Sequence, residues 1–176
     1  MSEQAGRYQR SAAGMVGAMV VLVVVVIGFV LFRDLNRNDP PSPVRTVDYA
    51  QSAEYAREQA RFDVLSPDTL PEGWRATSAR YVPGENASWH LGLLTGEGRY
   101  VGLEQSASSV DAMVEQHVDP DAVEGDPVDV DGRAWSTFSD SGGDLALVLG
   151  TGETTTLVVG HEVPEEALAD FAARLR

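Results

Sequence analysis

The stretch SWHLGLLTGEGRYVGLEQ, residues 88–105, decides the fold. Ser88 to Leu94 and Arg99 to Gln105 each alternate apolar and polar residues with a period of two, the signature of a half-buried strand. The four residues Thr95-Gly96-Glu97-Gly98 join them as a hairpin loop. Trp89, Leu91 and Leu93 share one face, and Val101 and Leu103 share the matching face of the second strand. These faces form the core, which turns His90 and Glu104 to the other side of the sheet. Gly96 and Gly98, followed by Gly102, do not make a dinucleotide loop, because that fingerprint opens a helix and this one opens a strand.

Downstream, Ser108 to Val118 reads as a helix, with Ser108 as N-cap, Asp111 as its capping-box partner, and Val110, Met113, Val114 and His117 on one face. Glu115 to Asp131 then carries seven acids and no base. Setting Gly132 as the glycine of a calcium loop puts Pro127 and Phe138 where carboxylates are required, so an EF-hand is excluded. Asp131-Gly132 is instead a two-residue hairpin turn between Val128–Val130 and Arg133–Ser139, and a loose cation site is the only metal role left to these acids. Asp144–Gly150 and Thr154–Gly160 form a further hairpin. Pro164 starts a closing helix whose apolar stripe is Leu168, Phe171, Ala172 and Leu175, with Arg174 and Arg176 in its last turn.

Upstream, Arg75 to Val82 runs extended until Pro83-Gly84 stops it, and Asp48 to Phe62 is an amphipathic helix capped by Asp48 and Gln51. The order helix, three strands, helix, four strands, helix predicts an α+β domain with a mostly antiparallel sheet packed by helices. Residues 1–10 are a polar tail, 33–45 a proline-rich stalk, and 46–176 the folded domain. Ser11 to Phe32 contains no charged residue, which predicts a single transmembrane helix. No small-residue cleavage site follows it, and the chain has no cysteine for lipidation, so an uncleaved anchor is expected. Gly14 and Ala18 form a small-xxx-small pair on it. Arg7 and Arg10 precede the span, while Asp34 and Asp39 offset Arg33 and Arg37 behind it; this favours a cytoplasmic tail and an extracytoplasmic domain at the cell membrane.

Composition excludes several classes of chemistry. From Thr46 onward 8 arginines face 24 acids, a net of −16, which repels nucleic acid and anionic lipid. The absence of cysteine and lysine removes disulfides, thiolate catalysis, Schiff bases and phosphate-loop lysines. His90, His117 and His161 show no metal-ligand spacing, and Ser139-Asp140-Ser141-Gly142-Gly143 is not a nucleophile elbow, so no cofactor, metal or catalytic residue is assigned.

The motifs RTVDY (45–49), VLSPDTLPEGWRATSARY (64–81), WHLG (89–92) and YVGLEQS (100–106) resemble those of DUF4245, a family of actinobacterial membrane-anchored proteins. The resemblance covers the span and essentially the whole domain. RYVP at 80–83 stands where the family has RYTP, so any role of that threonine is absent here. The resemblance implies an anchored domain and lends no activity. The layout is also similar to PsbP/Mog1-like domains, an analogy of fold that carries no function.

A polar and aromatic set on neighbouring strands, Arg75, Arg80, Tyr81, Trp89, His90 and Glu104, is the candidate binding site for a small ligand or peptide, with Arg80 recognising an anion. The alternative for the same residues is cross-strand pairing on a half-solvated sheet. The function expected is a non-catalytic binding or interaction module of the cell envelope. Two other readings stand beside it: an envelope hydrolase using Glu104 and one of the 115–131 acids, and an assembly subunit of a membrane complex.

Overall fold

The computed structural model describes residues 12–35, 45–152 and 154–176, and along the first helix it describes side chains for residues 16–29. The chain divides into two compact units, one holding the first helix and one formed from residue 45 onward. The tail 1–10 and residues 36–44 of the expected stalk lie outside the described residues.

Helix α1 spans Ala12–Leu35, three residues beyond the expected end of the span, and the side chains described on it are exposed. Among the described residues no helix is long and apolar enough to cross a membrane. The transmembrane expectation for Ser11–Phe32 is therefore not carried by the fold.

In the second unit α2 spans Tyr49–Gln59, with the Asp48 carboxylate accepting a hydrogen bond from the Ala50 N–H at 3.2 Å. Three strands follow as a meander: β1 (Arg75–Val82), β2 (Ser88–Leu94) and β3 (Tyr100–Ser106). Helix α3 covers Val110–His117, and its N-cap is Ser109, one residue later than expected. Ser108 is occupied elsewhere, since its N–H donates to Ser106 Oγ and its carbonyl accepts from Thr155 Oγ1 at 2.7 Å. Then come β4 (Val123–Glu124), β5 (Val128–Val130), β6 (Arg133–Ser139), β7 (Asp144–Gly150) and β8 (Thr155–His161). The two-residue β4 makes this a group of five strands where four were expected. Helix α4 covers Glu165–Ala172.

All strand pairs are antiparallel, in the order β1-β2-β3-β8-β7-β6-β4, with β5 pairing β6 off that path. Asp131 and Gly132 both take positive φ, 54° and 77°, and Val130 faces Arg133 across them, the geometry of a tight two-residue hairpin. One face of the sheet presents Trp89, Leu91, Leu93, Val101, Leu103, Leu147 and Val158 to α2 and α4, whose Ala53, Ala56, Leu168, Phe171 and Ala172 are buried against them. The opposite face is covered by α3 only over β7 and β8, where Met113 and Val114 pack on Ala146, Val148, Leu157 and Val159.

The chain does not end in the helix. After Ala172 it turns, Leu175 bridges Pro67, and Arg176 and Ser66 exchange backbone hydrogen bonds, so Arg174 and Arg176 fall outside the last helical turn. Arg57 of α2 locks this junction by donating to Val64 O, Ser66 Oγ and Arg176 O. From the sheet side, Trp89 Nε1 donates to Leu65 O at 3.0 Å and Gln105 Oε1 accepts from Leu65 N–H at 2.7 Å. The segment around Leu65 and Ser66 is thus sewn to α2, β2, β3 and the C-terminus.

Candidate functional site

The half of the sheet face that α3 leaves uncovered is built from β1, β2 and β3. Register sets its rows: Arg80, His90 and Glu104 lie side by side, and Ser78, Gly92 and Gly102 form the next row. A β-bulge between Ala76 and Ser78 inserts one residue into β1. Continued without that insertion, the pairing of Ala76 with Leu93 would set Ser78 opposite Leu91 and turn it into the core. Thr77, at the bulge, donates its hydroxyl to Gly92 O at 3.1 Å.

On this surface Ser78 Oγ is 2.8 Å from His90 Nε2, and His90 Nδ1 is 2.5 Å from Glu104 Oε1. The histidine and glutamate side chains are 22% and 12% exposed, so the pair is shielded while remaining open on one side. A carboxylate on Nδ1 fixes the tautomer with the proton there and leaves the Nε2 lone pair facing the serine hydroxyl. Gly92 leaves room for them: a methyl group at this position would collide with Ser78 Oγ and approach His90 Nε2 to 3.2 Å, so one of these side chains would have to move. Tyr100 folds its ring over Gly102, its hydroxyl 2.9 Å from where a Cβ would stand. Burial, and then the Glu104 carboxylate, raises the Tyr100 phenol above its ordinary pKa and keeps it protonated.

Between this surface and the C-terminal half of α3 runs a groove of about 240 Å³, walled among others by Arg80, His90, Glu104, Met113, Gln116 and His117. Glu104 is the one carboxylate lining it. The acids of β4 and β5 sit beside β6, at the far edge of the sheet from β1.

Of the six residues expected to form a site, Arg80, His90 and Glu104 come together. Arg75 shares their face by register but pairs with Leu94, two rows away. Trp89 and Tyr81 do not join them. Trp89 is fully buried in the core, and Tyr81 pairs with it across the strands and meets Tyr55 of α2 edge-on at 6.5 Å. Alternation explains both, since neighbours in a strand point to opposite faces. Ser78, Tyr100 and His117 were missed; the spacing of Ser78 two residues before Arg80 is the one signal that marked it, and the bulge hides even that. His161 lies elsewhere, held by Asp144 at 2.8 Å, and among the described residues no cluster of three or more metal-ligating groups occurs.

The class of protein defined here is an α+β domain with an eight-stranded antiparallel sheet, one face fully packed and the other left half open as a polar surface. The family described as "Protein of unknown function (DUF4245)" matches residues 7–175, nearly the whole chain, and the chain belongs to that family. A comparison with curated proteins returned no match.

Proposed function

We propose that this chain is a single-pass, membrane-anchored binding module whose domain stands outside the cytoplasm and holds an anionic small ligand or the acidic end of a peptide in the groove beside α3. The observation that carries the reading is the groove itself, where Arg80 and two histidines converge in a domain otherwise dominated by acids. The Arg80 guanidinium gives an anion a direct partner there, the one carboxylate of the wall being engaged by His90, while the acids elsewhere on the domain repel it. The uncharged run from Ser11 to Phe32, with no cleavage site after it, supports the anchor, and the proline-rich segment that follows supports a spacer.

Two experiments test it. A reporter fused after Arg176 that is active only outside the cytoplasm supports the orientation, and activity confined to the inside overturns it. Affinity capture from detergent-solubilised membranes compares the native chain with its Arg80→Ala variant. A partner or ligand retained by the first and lost by the second supports the groove; identical recovery by both rejects it.

A further inference from the structure

We propose that Ser78, His90 and Glu104 form a nucleophilic relay that gives the open face an esterase activity toward short-chain carboxylic esters. The proposal goes beyond ligand binding in the groove and does not depend on it. A serine hydroxyl becomes a nucleophile when an imidazole accepts its proton, and the imidazole serves best when a carboxylate on its other nitrogen holds the tautomer and stabilises the cation. Both contacts are met, with Nε2 toward the serine and Nδ1 toward the glutamate, at 2.8 and 2.5 Å. No sequence motif announces them, because three strands contribute one residue each and a bulge sets the register of the first.

The surface also supplies room and a charge-stabilising donor. Ser78 Oγ stands over Gly92 and the Tyr100 hydroxyl over Gly102, and these glycines are direct neighbours on adjacent strands, about 5 Å apart. An acyl carbon bonded to Ser78 would therefore carry its oxygen above the glycine floor toward the phenol. A protonated tyrosine facing a developing oxyanion is a recognised form of transition-state stabilisation. The floor is two glycines wide, which suits an acetyl or similarly short group.

The chemistry balances without a cofactor. Ser78 Oγ attacks the ester carbonyl carbon while its proton passes to His90 Nε2. The tetrahedral oxyanion collapses, the bond from carbon to the alkoxide oxygen breaks, and the alkoxide takes the proton back from His90 to leave as an alcohol. Water then attacks the acyl-serine, His90 again carries the proton, and the carboxylic acid leaves with Ser78 restored. Glu104 is a positioning residue throughout, acting through His90.

The test uses the full chain in detergent with p-nitrophenyl acetate and with a fluorophosphonate, which reacts by the same attack and expels fluoride. The expected result is one phosphonyl adduct, located at Ser78 by peptide mass, and ester turnover that saturates with substrate. Ser78→Ala abolishes both. His90→Gln slows labelling roughly 100-fold or more, the range that general-base assistance spans. Glu104→Gln lowers the rate and changes the pH dependence of labelling, whereas Glu104→Asp restores part of it; a purely structural glutamate would leave the pH profile in place. Each variant is checked for an unchanged far-ultraviolet circular dichroism spectrum and unfolding midpoint. No adduct at Ser78 in the folded native chain, or equal labelling of native and His90→Gln chains, overturns the proposal. The Arg80-dependent binding described above would survive either outcome.

Discussion

The sheet face that carries α3 has two halves, and a single row of residues runs through both. Arg80, His90 and Glu104 occupy it on β1 to β3, and Leu157 and Val148 continue it on β8 and β7. The row changes from polar to apolar at the β3–β8 boundary, where α3 begins to cover it. Strands under cover on both faces must be apolar or hydrogen-bonded throughout, and β8 is buried from Thr155 to Gly160 without interruption, Thr155 donating to Ser108 O and Thr156 accepting from Gln105 Nε2. Strands with one open face alternate, as His90 and Glu104 do between their core neighbours. One half of this face is therefore a second core, and the other half is free to carry chemistry.

The largest test of that contrast removes one side chain from each half of the row or its neighbour. Leu157 is fully buried beneath α3, and Leu157→Ala should lower stability by about 2–5 kcal/mol, through lost burial and the cavity left behind. Ser78→Ala removes one hydrogen bond on a partly open surface and should cost only about 0.5–1.5 kcal/mol. Urea unfolding midpoints of the full chain measure both. Equal losses would mean that the open half is as structural as the covered half.

A medium effect is expected at Gly92, which carries no side chain because Ser78 and His90 fill the space above it. Gly92→Ala should destabilise by about 1–3 kcal/mol, as overpacking does, and should also break the contact between Ser78 and His90. Gly98 offers a control for space, since nothing lies within 4 Å of a Cβ there. Its φ of +82° makes any loss at Gly98→Ala a matter of backbone strain alone. Loss of fluorophosphonate labelling should follow Gly92→Ala and not Gly98→Ala.

The strands of both halves were legible in the sequence, and what was not legible is how the open half is put together. Ser88–Leu94 and Asp144–Gly150 stand where alternation and turn residues put them, and the Asp131-Gly132 turn was readable because few dipeptides tolerate two positive φ values. The stripe of α4 was legible for the same local reason. The open half depends on long-range register, which local pattern does not encode. Arg80 was expected beside His90 and Glu104 and is found there, yet only the one-residue bulge after Ala76 makes it so. Trp89 and Tyr81 were drawn into the expected site by their chemistry, although alternation with His90 and Arg80 already assigned them to the core.

The smallest effect concerns Tyr100, whose ring bridges from its own row over Gly102 toward Glu104. Partial burial, then the nearby carboxylate, holds its phenol above the ordinary value of about 10. A phenol with a raised folded pKa retains its proton longer in the folded than in the unfolded chain. The folded state therefore binds more protons once pH passes the unfolded value, and stability falls as pH rises from there through the folded pKa. Below that window the contribution is fully present. Tyr100→Phe removes it, so the difference in stability between native and variant chains should be flat at neutral pH and should shrink above about 10. Tyr49 is also raised, by burial and then by Asp68 and Asp48, but it contributes equally to both chains and cancels in the difference. Glu104→Gln should lower the Tyr100 titration by removing the second cause while leaving burial in place, which ultraviolet difference titration can follow. An unchanged Tyr100 titration in Glu104→Gln would separate the phenol from the glutamate. The phenol would then stand apart from Ser78, His90 and Glu104, which their own hydrogen bonds hold together.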